Sequence, residues 1–200
     1  MLCGMCNLYR MTATVAEIAK LFGPFDGDRS NLPSFEAIYP NRDAPMLRNV
    51  DGKLTLETMT WGVPPPAKAS RPVTNVRNLK SPFWRSMLNT PERRCLVPVT
   101  SFCEWEGEKG SKRKVWFGRT DTPLFSFAGI WRPAEEGTRM AFLTTEANET
   151  VGAVHPKAMP VLLRQEDHET WLTADYEEAT ALARPFDDAL VEVVEREGDG

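Results

Sequence analysis

Leu54-Thr55-Leu56-Glu57-Thr58-Met59-Thr60-Trp61 sets apolar side chains against threonine and glutamate in near alternation, the pattern of a strand with one face in a core. Further β-type runs follow at Cys95 to Thr100, Val115 to Phe117, Leu124 to Trp131, Met140 to Thr144, Val161 to Leu163 and Leu190 to Val194. Gly107-Glu108-Lys109-Gly110-Ser111 reads as a hairpin loop and Thr120-Asp121-Thr122-Pro123 as a turn. Upstream, residues 25–50 are rich in Asp, Asn and Pro with little periodicity, and read as a long irregular surface segment. Helical signals lie towards the two ends. Thr14-Val15-Ala16-Glu17 is a capping box, with Val15, Ile18, Leu21 and Phe22 at helical spacing until Gly23-Pro24. Gln165 to Leu172 and Tyr176 to Leu182 read as short helices. Six or seven strands framed by helices predict an α+β domain, a mostly antiparallel, curled, barrel-like sheet with a few peripheral helices.

Two hundred residues with 42% hydrophobic composition suffice for one domain with a proper core, here placed at residues 6–195. Residues 1–5 read as a non-native or processed leader and 196–200 as a frayed tail. No run of 18 apolar residues and no signal-type N-terminus occur, so a cytoplasmic protein without a membrane partner is expected. Four cysteines, Cys3, Cys6, Cys95 and Cys103, do not make a disulfide scaffold. The net charge of −4 hides an asymmetry. Residues 42–119 hold 15 Lys/Arg against 7 Asp/Glu, and residues 120–200 hold 6 against 17. The middle of the chain can present a basic face to a polyanion, or simply a solvated one.

The first residues, Met1-Leu2-Cys3-Gly4-Met5-Cys6, raise the question of chemistry. A zinc site needs a second ligand pair, and Cys95 and Cys103, with seven residues between them, are poorly spaced for it. A thioredoxin-type pair belongs between a strand and a helix, and no strand precedes this one. Neither a metal nor an organic cofactor is expected. If translation begins at Met5, removal of the methionine leaves Cys6 with a free amine of pKa about 8 beside a thiol of pKa about 8.5. Such a residue condenses with an aldehyde through nitrogen and closes a five-membered ring through sulfur.

Met5-Cys6-Asn7-Leu8-Tyr9 resembles the start of the SOS response-associated peptidase family, the SRAP-domain abasic-site processing proteins. Further matches follow in family order: Thr60-Trp61-Gly62, Asn75-Val76-Arg77, Arg94-Cys95-Leu96-Val97-Pro98 with Phe102-Cys103-Glu104-Trp105, and Thr144-Thr145-Glu146-Ala147-Asn148 with His155 and Met159-Pro160. The resemblance implies capture of the ring-opened aldehyde of an abasic site in single-stranded DNA as a covalent crosslink. It also implies autoproteolytic exposure of the cysteine and an associated lyase activity. Carried over, Cys6 is the nucleophile, Asn75 lies near its amine, Glu104 is the acid-base carboxylate and His155 the second proton-transfer group. Imidazole and a carboxylate of raised pKa suit such work.

For DNA, Arg77 and Arg85 are the candidate phosphate contacts, and Trp84 or Phe83 the candidate base-stacking surface. His168, among charges in Gln165-Glu166-Asp167-His168-Glu169, is expected to be exposed, and Cys95 and Cys103 to be small core residues. The family's Asn-x-Ala-Pro segment is not preserved here, and Pro64-Pro65-Pro66-Ala67-Lys68 stands where some relatives carry tryptophan. A monomer is the expected state. Two other readings remain: a thiol peptidase using Cys6, His155 and Glu104 on other proteins, and a single-strand binding module in which the cysteines are structural.

Overall fold

The computed structural model describes residues 6–27, 32–66, 71–108 and 110–197. Cys3 and the rest of the expected leader, Ala67-Lys68, Lys109 of the hairpin loop and residues 198–200 lie outside the described residues. In chain order the first half comprises β1 (Tyr9–Met11), α1 (Val15–Phe22), β2 (Asp26–Gly27), β3 (Phe35–Ile38), β4 (Asp43–Val50), β5 (Lys53–Trp61), β6 (Asn75–Val76) and α2 (Pro82–Leu88). The second half comprises β7 (Arg94–Val99), β8 (Ser101–Glu106), β9 (Arg113–Arg119), β10 (Phe125–Ala134), β11 (Gly137–Thr145) and α3 (Glu149–Gly152). It ends with β12 (Met159–Pro160), β13 (Leu162–Leu163), α4 (His168–Thr173), α5 (Tyr176–Ala181) and β14 (Val191–Arg196).

Two sheets enclose one core. The first runs β14-β9-β8-β1-β3 and the second β12-β11-β10-β7-β4-β5-β2, mostly antiparallel, with β5 and β6 parallel to β11. The chain changes sheet between Val99 and Ser101, so the Cys95 strand and its continuation through Cys103 face different neighbours. Tyr9, Phe102 and Phe117 from the first sheet meet Trp61, Phe127 and Phe142 from the second, all fully buried. Tyr9 lies edge-on to Trp61, Phe127 and Phe142, the arrangement that ring quadrupoles favour. Burial of each such ring contributes roughly 1.5–3 kcal/mol.

The capping box forms as the sequence requires: Thr14 accepts from the Glu17 N–H, and the Glu17 carboxylate accepts from the Thr14 N–H at 2.7 Å. Gly23, at φ 84°, ends that helix. Residues 25–50 depart from expectation. Much of this segment is strand, because β4 pairs with β5 along its whole length through a tight turn at Asp51-Gly52, where both residues take positive φ. Pro45 disguises the strand, yet β4 meets β7 only at Leu47, so no second ladder bond is lost at the proline. α2 is a second departure from expectation. Ser81-Pro82 starts it, with proline in the first turn where its missing N–H costs nothing. The last strand continues past the expected Val194 to Arg196, whose guanidinium binds Glu106 on β8 at 2.9 Å.

Arg94, fully buried, ties this periphery together by donating to the carbonyls of Leu88 at the end of α2 and of Trp171 and Ala174 at the end of α4. Cations at helix C-termini are stabilising there. None of the described helices is long and apolar enough to cross a membrane.

Candidate functional site

Cys6 lies three residues before the start of β1 and is 1% exposed. Two neighbours hold its backbone region. Asn75 donates from Nδ2 to the Cys6 carbonyl at 3.1 Å and to Thr74 Oγ1 at 2.9 Å. Asn7, the next residue, accepts a hydrogen bond from Trp105 Nε1 at 3.0 Å.

Asn75 is brought there by the motif that precedes it. Trp61 donates from its indole to the Thr74 carbonyl at 3.0 Å, and Gly62 donates to the Met140 carbonyl. Gly62 sits at φ 127°, and a Cβ there would lie 2.9 Å from Pro72, so glycine is required for the close approach. Val63 then bridges Val73, which delivers Asn75 into register beside Phe142 of β11.

Glu104 stands on β8 two residues beyond Phe102 and so shares its inward face. It is 1% exposed. His155 follows α3 in a loop fixed from several sides. Asn148 caps that helix through the Val151 N–H and also donates to the Phe186 carbonyl, and the His155 N–H bonds the Val151 carbonyl. His155 Nδ1 lies 3.0 Å from the Ala158 carbonyl, and since a carbonyl only accepts, that nitrogen carries the proton. Its Nε2 is buried and has no partner among the described residues. The same Nδ1 is 3.8 Å from Glu104 Oε2.

Four elements thus converge: the approach to β1, β6, β8 and the loop after α3. Burial pushes the Cys6 thiol well above its usual range, and the negative charge of Glu104 adds to the effect. At neutral pH the sulfur is therefore a thiol rather than a thiolate. Asn75 Oδ1, buried and unpartnered among the described residues, is a further acceptor in this site. Among the described residues no group of three or more His, Cys, Asp or Glu side chains is placed to hold a metal ion. Cys95 and Cys103 are both buried, and burial raises the Cys103 thiol to about 12.

The remaining candidates divide. Arg77 is exposed, and its ion pair with Glu146 at 3.9 Å is loose and solvated, so its charge stays available. Arg85 is exposed on α2, above the Tyr176 ring. Trp84 is corrected: it is 5% exposed and belongs to the core, so its ring faces protein rather than a base. Phe83, half-buried, packs edge-on against it. His168 is also corrected. Despite its charged neighbours in sequence it is buried, bonded to Ser126 Oγ at 2.9 Å and stacked on Phe22. Sequence reasoning missed the Asn7–Trp105 bond, although both residues flank predicted site positions.

These features define a buried cysteine site served by an amide, a carboxylate and an imidazole on a two-sheet α+β scaffold. The chain belongs to the SOS response associated peptidase (SRAP) family, whose model matches residues 5–196. Among solved structures it is similar to a protein from Bacteroides thetaiotaomicron, with 23% identity, a TM-score of 0.78 and coverage of 95% of this chain and 92% of that one. A protein from Bordetella bronchiseptica shows 18% identity and a TM-score of 0.76 over 95% of this chain and 100% of that one. A phage-related protein from the same organism shows 20% identity and a TM-score of 0.73 over 89% and 87%. At these identities the likeness establishes the fold. No curated protein matches the sequence.

Proposed function

We propose that the chain captures abasic sites in single-stranded DNA as a covalent thiazolidine through an N-terminal Cys6. The convergence of Cys6, Asn75, Glu104 and His155 in one buried site carries this reading. The α-amine of Cys6 attacks the sugar aldehyde and forms a carbinolamine. Loss of water, with a proton delivered to the departing hydroxyl by the Glu104–His155 pair, gives the imine. The thiol then adds across the C=N bond, its proton passing to nitrogen, and closes the ring. Asn75 holds the cysteine backbone while its free Oδ1 is suited to accept from the amine.

The raised thiol pKa supports this order of events, since the amine attacks while sulfur stays protonated. It counts against a thiol peptidase acting on other proteins, which needs a thiolate. Arg77 and Arg85 supply phosphate contacts, and lyase chemistry would follow from the same imine. Autoproteolysis of the Met5–Cys6 bond remains the route by which a preceded cysteine gains its amine.

The test uses protein beginning at Met5 and a single-stranded oligonucleotide with one abasic site. An adduct that survives boiling in detergent is expected, absent with undamaged DNA and absent in Cys6→Ala. An adduct that persists in Cys6→Ala, or that needs Cys3, overturns the proposal.

A further inference from the structure

A cleft of about 1050 Å³ lies on the outward face of the first sheet, and none of Cys6, Asn75, Glu104 or His155 lines it. Small-molecule pockets run to about 1000 Å³, so this one has room for a short stretch of polypeptide. Its floor follows from strand register. Glu192 of β14 opposes Gly118 of β9, the adjacent Phe117 opposes Phe102 of β8, and Ser101, next to Phe102, opposes Arg10 of β1. At ~4.8 Å per strand, the row from Glu192 to Arg10 spans about 14 Å. The two central residues, Gly118 and Ser101, are small, which makes the floor concave. α1 and the turn before α4 form its walls.

The cations around the cleft are already engaged. Arg10 lies flat on Trp116, 3.6 Å from the ring centre, and is paired with Glu195 at 2.6 Å. Arg119 is paired with Asp121 and also donates to the Leu163 carbonyl, and Arg164 faces Asp187 at 3.6 Å. With these pairs cancelled, Lys20 is the one remaining cation among the described lining residues, facing the carboxylates of Glu17, Glu36, Glu166 and Glu192. A polyphosphate chain would be repelled here.

Two further features fit a peptide. Ser101 is 6% exposed, faces the cleft opposite to inward Phe102, and its hydroxyl has no hydrogen bond among the described residues. It can accept from an ammonium or donate to a peptide carbonyl. Val194, exposed, leans over Gly118 and offers apolar surface to the methylene stem of a lysine or arginine.

We propose that this cleft docks an extended, lysine- or arginine-bearing segment of a partner protein, independently of the cysteine site. The probe is a fluorescent peptide of about eight residues alternating lysine and serine, long enough at ~3.3 Å per residue to cross the floor. Binding is read by anisotropy at low salt, where exposed charges are least screened. The wild type should bind it and should not bind the glutamate-serine counterpart. Glu166→Lys with Glu192→Lys, both on exposed positions, should weaken binding by about tenfold or more. Glu177→Lys with Glu178→Lys on α5 makes the same change in net charge outside the cleft and should change affinity less than about twofold. Ser101→Ala should weaken binding measurably at an unchanged melting temperature. Failure of the wild type to bind, equal binding of the glutamate peptide, or equal losses in the two double variants would each overturn the proposal.

Discussion

Acid should loosen the seam between α1 and the second sheet through His168. Its imidazole is buried between Phe22 of α1 and Ser126 of β10, and its pKa is lowered to about 4, chiefly by burial and further by Arg119, with Glu166 opposing. The unfolded chain binds this proton near 6.5 and the folded one only near 4. The neutral imidazole therefore contributes its full stability above pH 6.5, and the contribution is lost as pH falls between those values. Complete loss amounts to ~3 kcal/mol, and at pH 5 to about 2 kcal/mol. For a chain of this size that is a fall in melting temperature of roughly 4–8 °C.

The perturbation is His168→Gln, which keeps a polar partner for Ser126 and does not titrate. Urea unfolding of both proteins at pH 7.5 and pH 5 cancels the carboxylates they share. The wild type should lose about 2 kcal/mol more than the variant over that interval. Equal losses would refute the reasoning and place a proton acceptor or water route at the ring.

The contrast between His168 and the capping box shows which part of the fold the sequence makes legible. A capping box is a local device whose partners lie three residues apart, so Thr14 and Glu17 can be read without knowing any tertiary contact. The environment of His168 is set by Phe22 and Ser126, far away in sequence, and its charged neighbours point elsewhere. The same distinction explains β4. Its proline is tolerated because of the way β4, β5 and β7 are arranged, a property of the sheet that no window of residues contains. The Asp51-Gly52 turn, by contrast, was readable as a hairpin signal and would have joined β4 to β5.

For the site, residue identities were legible through the motifs, while the means of positioning them were not. Nothing local to Trp61-Gly62 says that it anchors residues 74 and 75, because that role depends on an indole reaching a carbonyl thirteen residues on. Trp84 failed for a related reason. An aromatic in a basic segment suits a nucleic-acid surface, but on α2 it shares the buried side with Met87 and Leu88, at the three- and four-residue spacing that faces the core.

Further outcomes follow. Thr14→Ala should cost ~1 kcal/mol of stability in urea unfolding, since it removes one half of the capping box. Asn75→Leu should cost roughly 1–3 kcal/mol by leaving the Cys6 carbonyl and Thr74 hydroxyl without their donor, and should slow crosslinking at saturating DNA. Arg77→Ala should weaken binding to undamaged single strands and reduce the slope of log affinity against log salt by about one, whereas an unchanged slope would mean that its pairing with Glu146 persists in the complex. The start of the chain gives the sharpest outcome. In protein beginning at Met1, the second residue is leucine, too bulky for methionine removal, so Cys6 keeps an amide nitrogen whose lone pair is delocalised and cannot add to an aldehyde. Thiazolidine closure then requires prior cleavage of the Met5–Cys6 bond, for which the buried, protonated thiol must be activated by Glu104 and His155. Intact mass measured alongside crosslinking separates the cases: either the Met1 protein stays whole and inert, or it is trimmed to Cys6 and crosslinks. A Met1 protein that keeps its full mass and still crosslinks as fast as the Met5 protein would show that the amine is dispensable, and the proposed chemistry would fail with it.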